Sequence, residues 1–600
     1  MCGIGGYVDP RGTLNARGLL RDLAAALVHR GPDGEGFFTQ GPFGLAHRRL
    51  AIIDLSEGGA QPMNVGPIVV VFNGEIYNYR ELREELRREG QNFAGSSDTE
   101  VLARAYLQWG EVFVNRLRGM WAFAILDTRT ETLLCSRDPF GIKPFYYASH
   151  NGAFVFASEP QALIRAGLSA RANLRIAAQY LALGVTDHTR STFFEGITQL
   201  GAGDTIAVGA DASIRAVGKL DCLAAGEGSR ASFAEFEASL QESVRLHLRS
   251  DVPVGTCLSG GLDSSTVAAL ASDAVRAEGG PRFTAVTAVS SDPRTDERQY
   301  AAAVVAHCDL AWRTVTPTAP EFTSQIDDCI RAQGEPALSP SVYFQYRVMG
   351  AAREAGLKVM LDGQGADELL GGYERYIPTW GLDRARQSGL FAALRDVLQV
   401  ARHSRPGVRG VATLSGYVLL PSLRRHVIAA RTRFLRAEFA SCALEVVERI
   451  SRSSHSLHQA RLADLGEFSL PALLRYEDRN SMAHSIEARV PYVDREVVSC
   501  ALRLPDTDLL REGFTKYPLR TIAAHVLPAV VAWRRDKIGF EPPTQAWLSA
   551  LRDQLQPQIE RSSVIARLCR KVPSTTDLPL TLRWRLYNLA RWQQLFAVEA

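Results

Sequence analysis

The sequence predicts two domains of different class. Residues 1–215 read as a layered α+β domain, and residues 233–600 as an α/β domain with a parallel sheet and helical additions. Three patterns lead there. Hairpin signals dominate the first third of the chain. Strand and helix signals alternate from residue 233 onward. From about residue 379 the patterns are mainly helical, with an arginine-rich region at 379–470. A chain of 600 residues is long enough for more than one domain.

In the first domain, Pro67–Phe72 (PIVVVF) is a short apolar run suited to a strand buried on both faces. Helical patterns follow near Tyr79–Glu89 and Thr99–Trp109. Trp121–Asp127 and Thr132–Arg137 flank Thr128–Glu131 and predict a hairpin. Phe145–Ala148 and Ala153–Ser158 flank a His-Asn-Gly turn and predict a second one. Gly218–Ser232 is small and polar, as a linker is. Beyond it, helices are predicted at Phe233–Leu248, Ser264–Arg276, Asp296–His307 and Tyr343–Ala355. Strands alternate with them at Val252–Leu258, Arg282–Val289, Ala311–Val315 and Lys358–Leu361. Strands separated by helices lie parallel in one sheet.

Composition narrows the function classes. Hydrophobic residues make up 46% and charged residues 22%, which excludes wholesale disorder and collagen-like structure. A net charge of +3 gives no argument for a nucleic-acid partner. Nine cysteines are scattered without a C-x-x-C pair, as expected in a reducing compartment rather than in a disulfide scaffold or zinc site. No apolar run reaches ~18 residues, and the N-terminus lacks a basic stretch followed by an apolar run, so a cytoplasmic protein is expected. Only six of the 68 basic residues are lysines, which makes each lysine conspicuous.

Cys2 follows Met1 directly. Removal of Met1 leaves a thiol and a free α-amine on one residue, a nucleophile with a base beside it. Further along, Leu258–Ser265 (LSGGLDSS) stands between an apolar strand and a helix. Gly260 and Gly261 let backbone N–H groups approach a phosphate, while Ser264, Ser265 and the helix N-terminus add donors. No GxxxxGK[ST] is present. Asp263 inside such an anion-binding loop calls for a cation, and Mg2+ held by one or two carboxylates plus phosphates meets that need. Asp362–Tyr373 (DGQGADELLGGY) supplies further carboxylates after a predicted strand.

MCGIGGYVD, His29–Asp33 (HRGPD), Arg49–Ser56 (RLAIIDLS), Asn73–Asn78 (NGEIYN), Ser97–Glu100 (SDTE) and Arg137–Tyr147 (RDPFGIKPFYY) occur in this order. The set resembles the glutamine amidotransferase domain of the N-terminal-nucleophile hydrolases, in its asparagine synthetase branch. The resemblance implies an αββα layered domain that releases ammonia from glutamine. Cys2 is then the nucleophile, Asn73 and Gly74 the oxyanion hole, and Arg49, Ile53, Glu75 and Asp98 further glutamine-binding positions. Asp98 also reads as a helix cap, and Asn73-Gly74 as a turn.

The SGGLDS loop resembles that of the ATP pyrophosphatases, enzymes that cleave ATP between the α and β phosphates. That likeness implies ATP and Mg2+, with Leu258, Ser259, Gly260, Gly261, Asp263, Ser264, Val286, Asp362 and Gly363 around the nucleotide and Asp263 and Asp367 on the metal. Tyr476–Asp494 and Lys516–Arg520 (KYPLR) match the same family, and Lys516 falls where a lysine stabilises charge on the α-phosphate. Gln364 stands where many relatives carry a glutamate thought to act on ammonia, and an amide cannot accept a proton as a carboxylate can. Glu487 and Arg489 read equally well as an ordinary ion pair.

The expected function is glutamine-dependent conversion of aspartate to asparagine through an acyl-adenylate. The alternative keeps this chemistry and changes the acceptor to a sugar uronate, an antibiotic precursor or a peptide. A catalytically silent binding protein is a third reading, opposed by the presence of Cys2, Asp263, Asp367 and Lys516. A homodimer is expected. Residues 383–436 hold eleven arginines against Asp383 and Asp396, which reads as a solvated helical face or as a surface for an anionic partner.

Overall fold

The computed structural model describes all residues except 1, 225–228, 536–540 and 577. Twelve strands form the first domain: β1 Gly3–Val8, β2 Gly34–Gln40, β3 Phe43–Arg49, β4 Met63–Val65, β5 Ile68–Ile76, β6 Gly119–Asp127, β7 Thr132–Arg137, β8 Tyr146–His150, β9 Ala153–Ala157, β10 Thr198–Gln199, β11 Asp204–Gly209 and β12 Ile214–Lys219. They make two six-stranded sheets, ordered β10-β8-β9-β1-β3-β2 and β12-β11-β7-β6-β5-β4. β12 pairs with β11 as far as Lys219, so this domain runs a few residues past 215. Part of the expected linker, 225–228, lies outside the described residues.

The alternation of β5 explains its unbroken apolar sequence. Val69 and Val71 face the other sheet, in a core with Ile4, Leu45, Phe154 and Phe156. Ile68, Val70 and Phe72 face outward and are covered by Leu82, Leu86, Val101 and Leu102. Those four belong to the helices Tyr79–Arg88 and Asp98–Trp109. On the opposite outer face, Leu19, Leu20 and Leu23 of the Ala16–Ala26 helix pack over Tyr7 and Ala46. The layers are therefore α, β, β, α.

The second domain holds β13 Val254–Cys257, β14 Thr284–Ala288, β15 Ala311–Val315, β16 Val359–Leu361 and β17 Glu487–Arg489. The five strands are parallel, in the order β15-β14-β13-β16-β17. The Phe233–His247 helix that opens the domain starts with a capping box between Ser232 and Glu235, which satisfies two otherwise orphaned N–H groups. No sequence pattern announces β17. It is three residues long with a charge at each end, yet Leu361 lies opposite Arg489 in register.

Buried ion pairs join the domains. Arg30 places Nη1 and Nη2 at 2.8 and 2.9 Å from the Asp478 carboxylate, and Nη1 at 2.8 Å from Glu159. Arg118 reaches Asp494 at 2.7 Å and Arg475 reaches Asp187 at 2.8 Å. Among the described residues no helix is long and apolar enough to cross a membrane.

Candidate active sites

The first site forms where β1, β3 and β5 end together. Cys2 precedes β1 and is buried, and its backbone N–H donates to Asn73 Oδ1 at 3.0 Å. That bond orients the Asn73 amide. Its oxygen is engaged, so its NH2 group is the part left for a ligand, and Nδ2 has no partner among the described residues. A buried donor without a partner is costly unless it serves a bound group. Arg30 Nε donates to the Cys2 carbonyl at 3.1 Å. Gly74 tolerates no side chain, because a Cβ there would lie 2.1 Å from the Met120 carbonyl oxygen.

Arg49, Ile53, Gly74, Glu75 and Asp98 line one small cavity with Cys2. The Arg49 guanidinium is held by the backbone carbonyls of Asp54 and Ser56. Asp98 is not the helix cap. Ser97 takes that role by accepting the Thr99 N–H at 3.0 Å, whereas Asp98 Oδ2 turns inward to the Ile76 N–H at 3.0 Å.

Charge in this cavity is unbalanced toward carboxylates. Burial, followed by the like charge of Glu487, raises the Asp98 pKa to about 6. Burial and the charges of Glu487 and Asp98 push Glu75 well above the usual carboxylate range. Arg489, fully buried, is the counterion: its Nε lies 2.6 Å from Glu487 and its Nη2 3.7 Å from Glu75. Glu487 and Arg489 are thus an ion pair and also a strand, and they bring the second domain's sheet to the wall of the first site. A cationic ligand such as an α-ammonium fits this surplus. Burial raises the Cys2 thiol as well, so it rests protonated and needs a base to become a nucleophile. Met1, whose removal the sequence analysis expects, lies outside the described residues.

The second site is a cavity of about 530 Å3 at the carboxyl ends of the parallel strands. Leu258, Ser259, Asp263, Ser264, Val286, Asp362, Gly363, Gln364, Asp367 and Lys516 all line it. Gly260 and Gly261 do not. Gly260 has φ +76°, and a Cβ there would stand 2.6 Å from the Ala301 backbone nitrogen. Gly261 donates its N–H to Ser259 Oγ at 3.2 Å. These glycines shape the loop from behind the cavity wall.

Lys516 Nζ lies 2.7 Å from both oxygens of Asp263 and 2.6 Å from Asp367 Oδ1. Gly372 makes this approach possible, since a Cβ there would fall 2.0 Å from Lys516 Cε. Two carboxylates converging on one cation fit Mg2+ completed by phosphate oxygens. Among the described residues no cluster of three or more potential ligands exists. Glu368, next to Asp367, is turned away and accepts hydrogen bonds from Tyr373 and Ser469, each at 2.6 Å.

Several wall residues carry no signal of their own in the sequence, among them Gln345, Glu297, Phe514 and Arg520. Arg520 lies in the quoted KYPLR motif, and only its neighbour Lys516 drew attention. Most arginines of the arginine-rich segment are exposed, but part of the segment turns inward. Val400, His403, Ser404 and Arg405 form part of the cavity wall, and Arg424 is buried against the Tyr417 and Val418 carbonyls.

Comparison with known proteins agrees with this division. Residues 1–216 match the family model of the glutamine amidotransferase domain, and residues 235–583 match that of asparagine synthase. The chain is 31% identical to an asparagine synthetase [glutamine-hydrolyzing] 1 of Bacillus subtilis, over 91% of this chain and 88% of that one. It is 32% identical to a putative asparagine synthetase [glutamine-hydrolyzing] of Mycobacterium bovis, over 92% and 89%. An "Amidase chry2" of Gibberella zeae is 26% identical over 85% of this chain and 84% of its own. With two domain models in tandem and relatives matched over nearly their full length, the chain belongs to the asparagine synthase family.

Proposed function

We propose that this protein is a glutamine-dependent asparagine synthetase. In the first site the Cys2 thiol, deprotonated by its own α-amine once Met1 is removed, attacks the glutamine side-chain amide. Asn73 Nδ2 and the Gly74 N–H receive the oxyanion that appears only in the tetrahedral intermediate. Ammonia leaves, and water releases glutamate from the thioester. Glu75, Asp98 and Glu487 supply the negative charge that holds the substrate ammonium, and Arg49 the positive charge for its carboxylate.

In the second site the aspartate side-chain carboxylate attacks the α-phosphate of ATP. The products are an acyl-adenylate and pyrophosphate. Asp263 and Asp367 would hold Mg2+, which supplies positive charge against the departing phosphates. Lys516 is placed to follow the charge that moves onto the α-phosphate. Ammonia then displaces AMP. Met120 and Ile142 of the first domain join Leu258 and Val490 of the second in one apolar cluster. Such a seam suits the passage of neutral ammonia and disfavours ammonium.

The observation that carries this reading is the meeting of Asp263, Asp367 and Lys516 in the large cavity, in a chain that also buries Cys2 against Asn73. Aspartate as the acceptor is tested by pyrophosphate exchange into ATP. Exchange that depends on Mg2+ and aspartate is expected. Exchange supported only by another carboxylate replaces asparagine synthesis with the second reading, amidation of a different acid, which Gln364 and the relative named an amidase favour.

A further inference from the structure

Amide formation sets a requirement that adenylation does not. Ammonia attacking an acyl-adenylate gives an adduct with a positively charged nitrogen, which must lose a proton as AMP departs. The walls of the large cavity offer few acceptors. Gln364 is an amide. Asp263 and Asp367 hold Lys516. Glu297 meets Arg534 at 2.6 Å, and Glu541 and Glu374 both engage Arg405. Asp362 lines the cavity, and a second carboxyl stands behind it: Glu477, which is 3% exposed.

Glu477 is held in a fixed orientation. The Gln333 amide donates to Asn480 Oδ1 at 2.8 Å, and Asn480 donates to Gln345 Oε1 at 2.8 Å. The Gln345 NH2 group must therefore face Glu477, and it donates to Oε2. The other oxygen, Oε1, receives no donor among the described residues. The Glu477 carboxyl stands within hydrogen-bonding reach of the Asp362 carboxyl, and a bond between them requires one proton on the pair.

The location also matches the need. Glu477 lies on the Leu470–Ala483 helix beside Asp478. Asp478 binds Arg30, which holds the Cys2 carbonyl. One helix turn thus touches the ammonia-producing site with one residue and the wall of the adenylation cavity with the next.

We propose that Glu477, paired with Asp362, is the proton acceptor of the amidation step. The bond between nitrogen and the acyl carbon forms, and the bond from that carbon to the AMP oxygen breaks with its electron pair going to AMP. One proton passes from nitrogen to the pair and later to solvent through the cavity. Burial and the charge of Asp362 raise Glu477 well above the ordinary carboxylate range, with Lys143 opposing. Cys257 is a further ionisable group beside the pair. Two close buried carboxyls cannot both ionise, so the pair keeps a proton and has room for another.

This inference rests on the adenylation reading, and its test separates the two. In Glu477→Gln, aspartate-dependent pyrophosphate exchange and glutamine hydrolysis are expected within about threefold of the parent. Amide formation is expected to fall about 100-fold or more, with AMP still released by hydrolysis. In Asp362→Asn, the acid limb of the pH profile for glutamine-driven amidation is expected to shift to higher pH, because Glu477 then ionises without the Asp362 proton that its anion shares. Amidation by Glu477→Gln within threefold of the parent overturns the proposal. So does loss of exchange in step with amidation, or an unmoved acid limb in Asp362→Asn. Absence of exchange in the parent with every carboxylate overturns the adenylation reading instead.

Discussion

Asn73 divides one amide between two tasks. Its oxygen fixes the Cys2 backbone, and its NH2 group is left to meet an oxyanion. Asn73→Ala is therefore expected to lower kcat for glutamine hydrolysis by about 10²–10³, with KM changed little and ammonia-driven amidation spared. A steady-state comparison of the two nitrogen sources checks this. Asp98 makes a pH prediction. Its pKa is raised to about 6, so in the ligand-free chain its neutral form favours folding, a contribution present below the ordinary carboxylate range and lost as pH rises through about 6. In the proposed reaction, glutamine binding wants the charged form. The rise in Tm caused by saturating glutamine is expected to grow from pH 5 to pH 7, and to grow less in Asp98→Asn, where Glu75 alone still titrates upward. Thermal denaturation across that range measures both. The sequence marked Asp98 as cap or ligand alike; only the inward turn to the Ile76 N–H separates the roles.

At the scale of elements, strands announced by both-face burial or by a turn were legible. β5 and the β8–β9 hairpin are examples, since their apolar runs and turn residues are local features. β17 was not, because three residues with two charges give no periodic signal. Its charges are tolerated because Glu487 and Arg489 pair with each other and Arg489 also donates to the His247 and Arg249 carbonyls, which come from another element. The same logic hid Glu477, whose neighbours Gln345 and Asp362 come from other elements. The turn between β13 and the helix after it was legible from its glycines, but their use was not: Gly260 makes room for the Arg298–Cys308 helix rather than lining the cavity. Gly260→Ala strains a positive-φ position and displaces the loop from Ala301. Pyrophosphate exchange is expected to fall by about 10²-fold or more while glutamine hydrolysis persists, as parallel assays of the two half-reactions measure.

Across the whole molecule, each domain's family could be read from its own motifs, whereas the way the domains lock together could not. The lock depends on pairs such as Arg30–Asp478 and Arg118–Asp494, separated by hundreds of residues. Losing one partner of such a buried pair typically costs about 3–5 kcal/mol. The lock brings apolar residues of both domains, among them Met120, Ile142, Leu258 and Val490, into one shared cluster. Nitrogen freed at Cys2 should then reach the activated acid without mixing with solvent. The most direct measurement supplies glutamine labelled with 15N in its side-chain amide, together with excess unlabelled ammonium, and reads the isotope in the amide product. Retention of nearly all the label is predicted. Dilution of the label to the composition of the bulk ammonium would contradict the account.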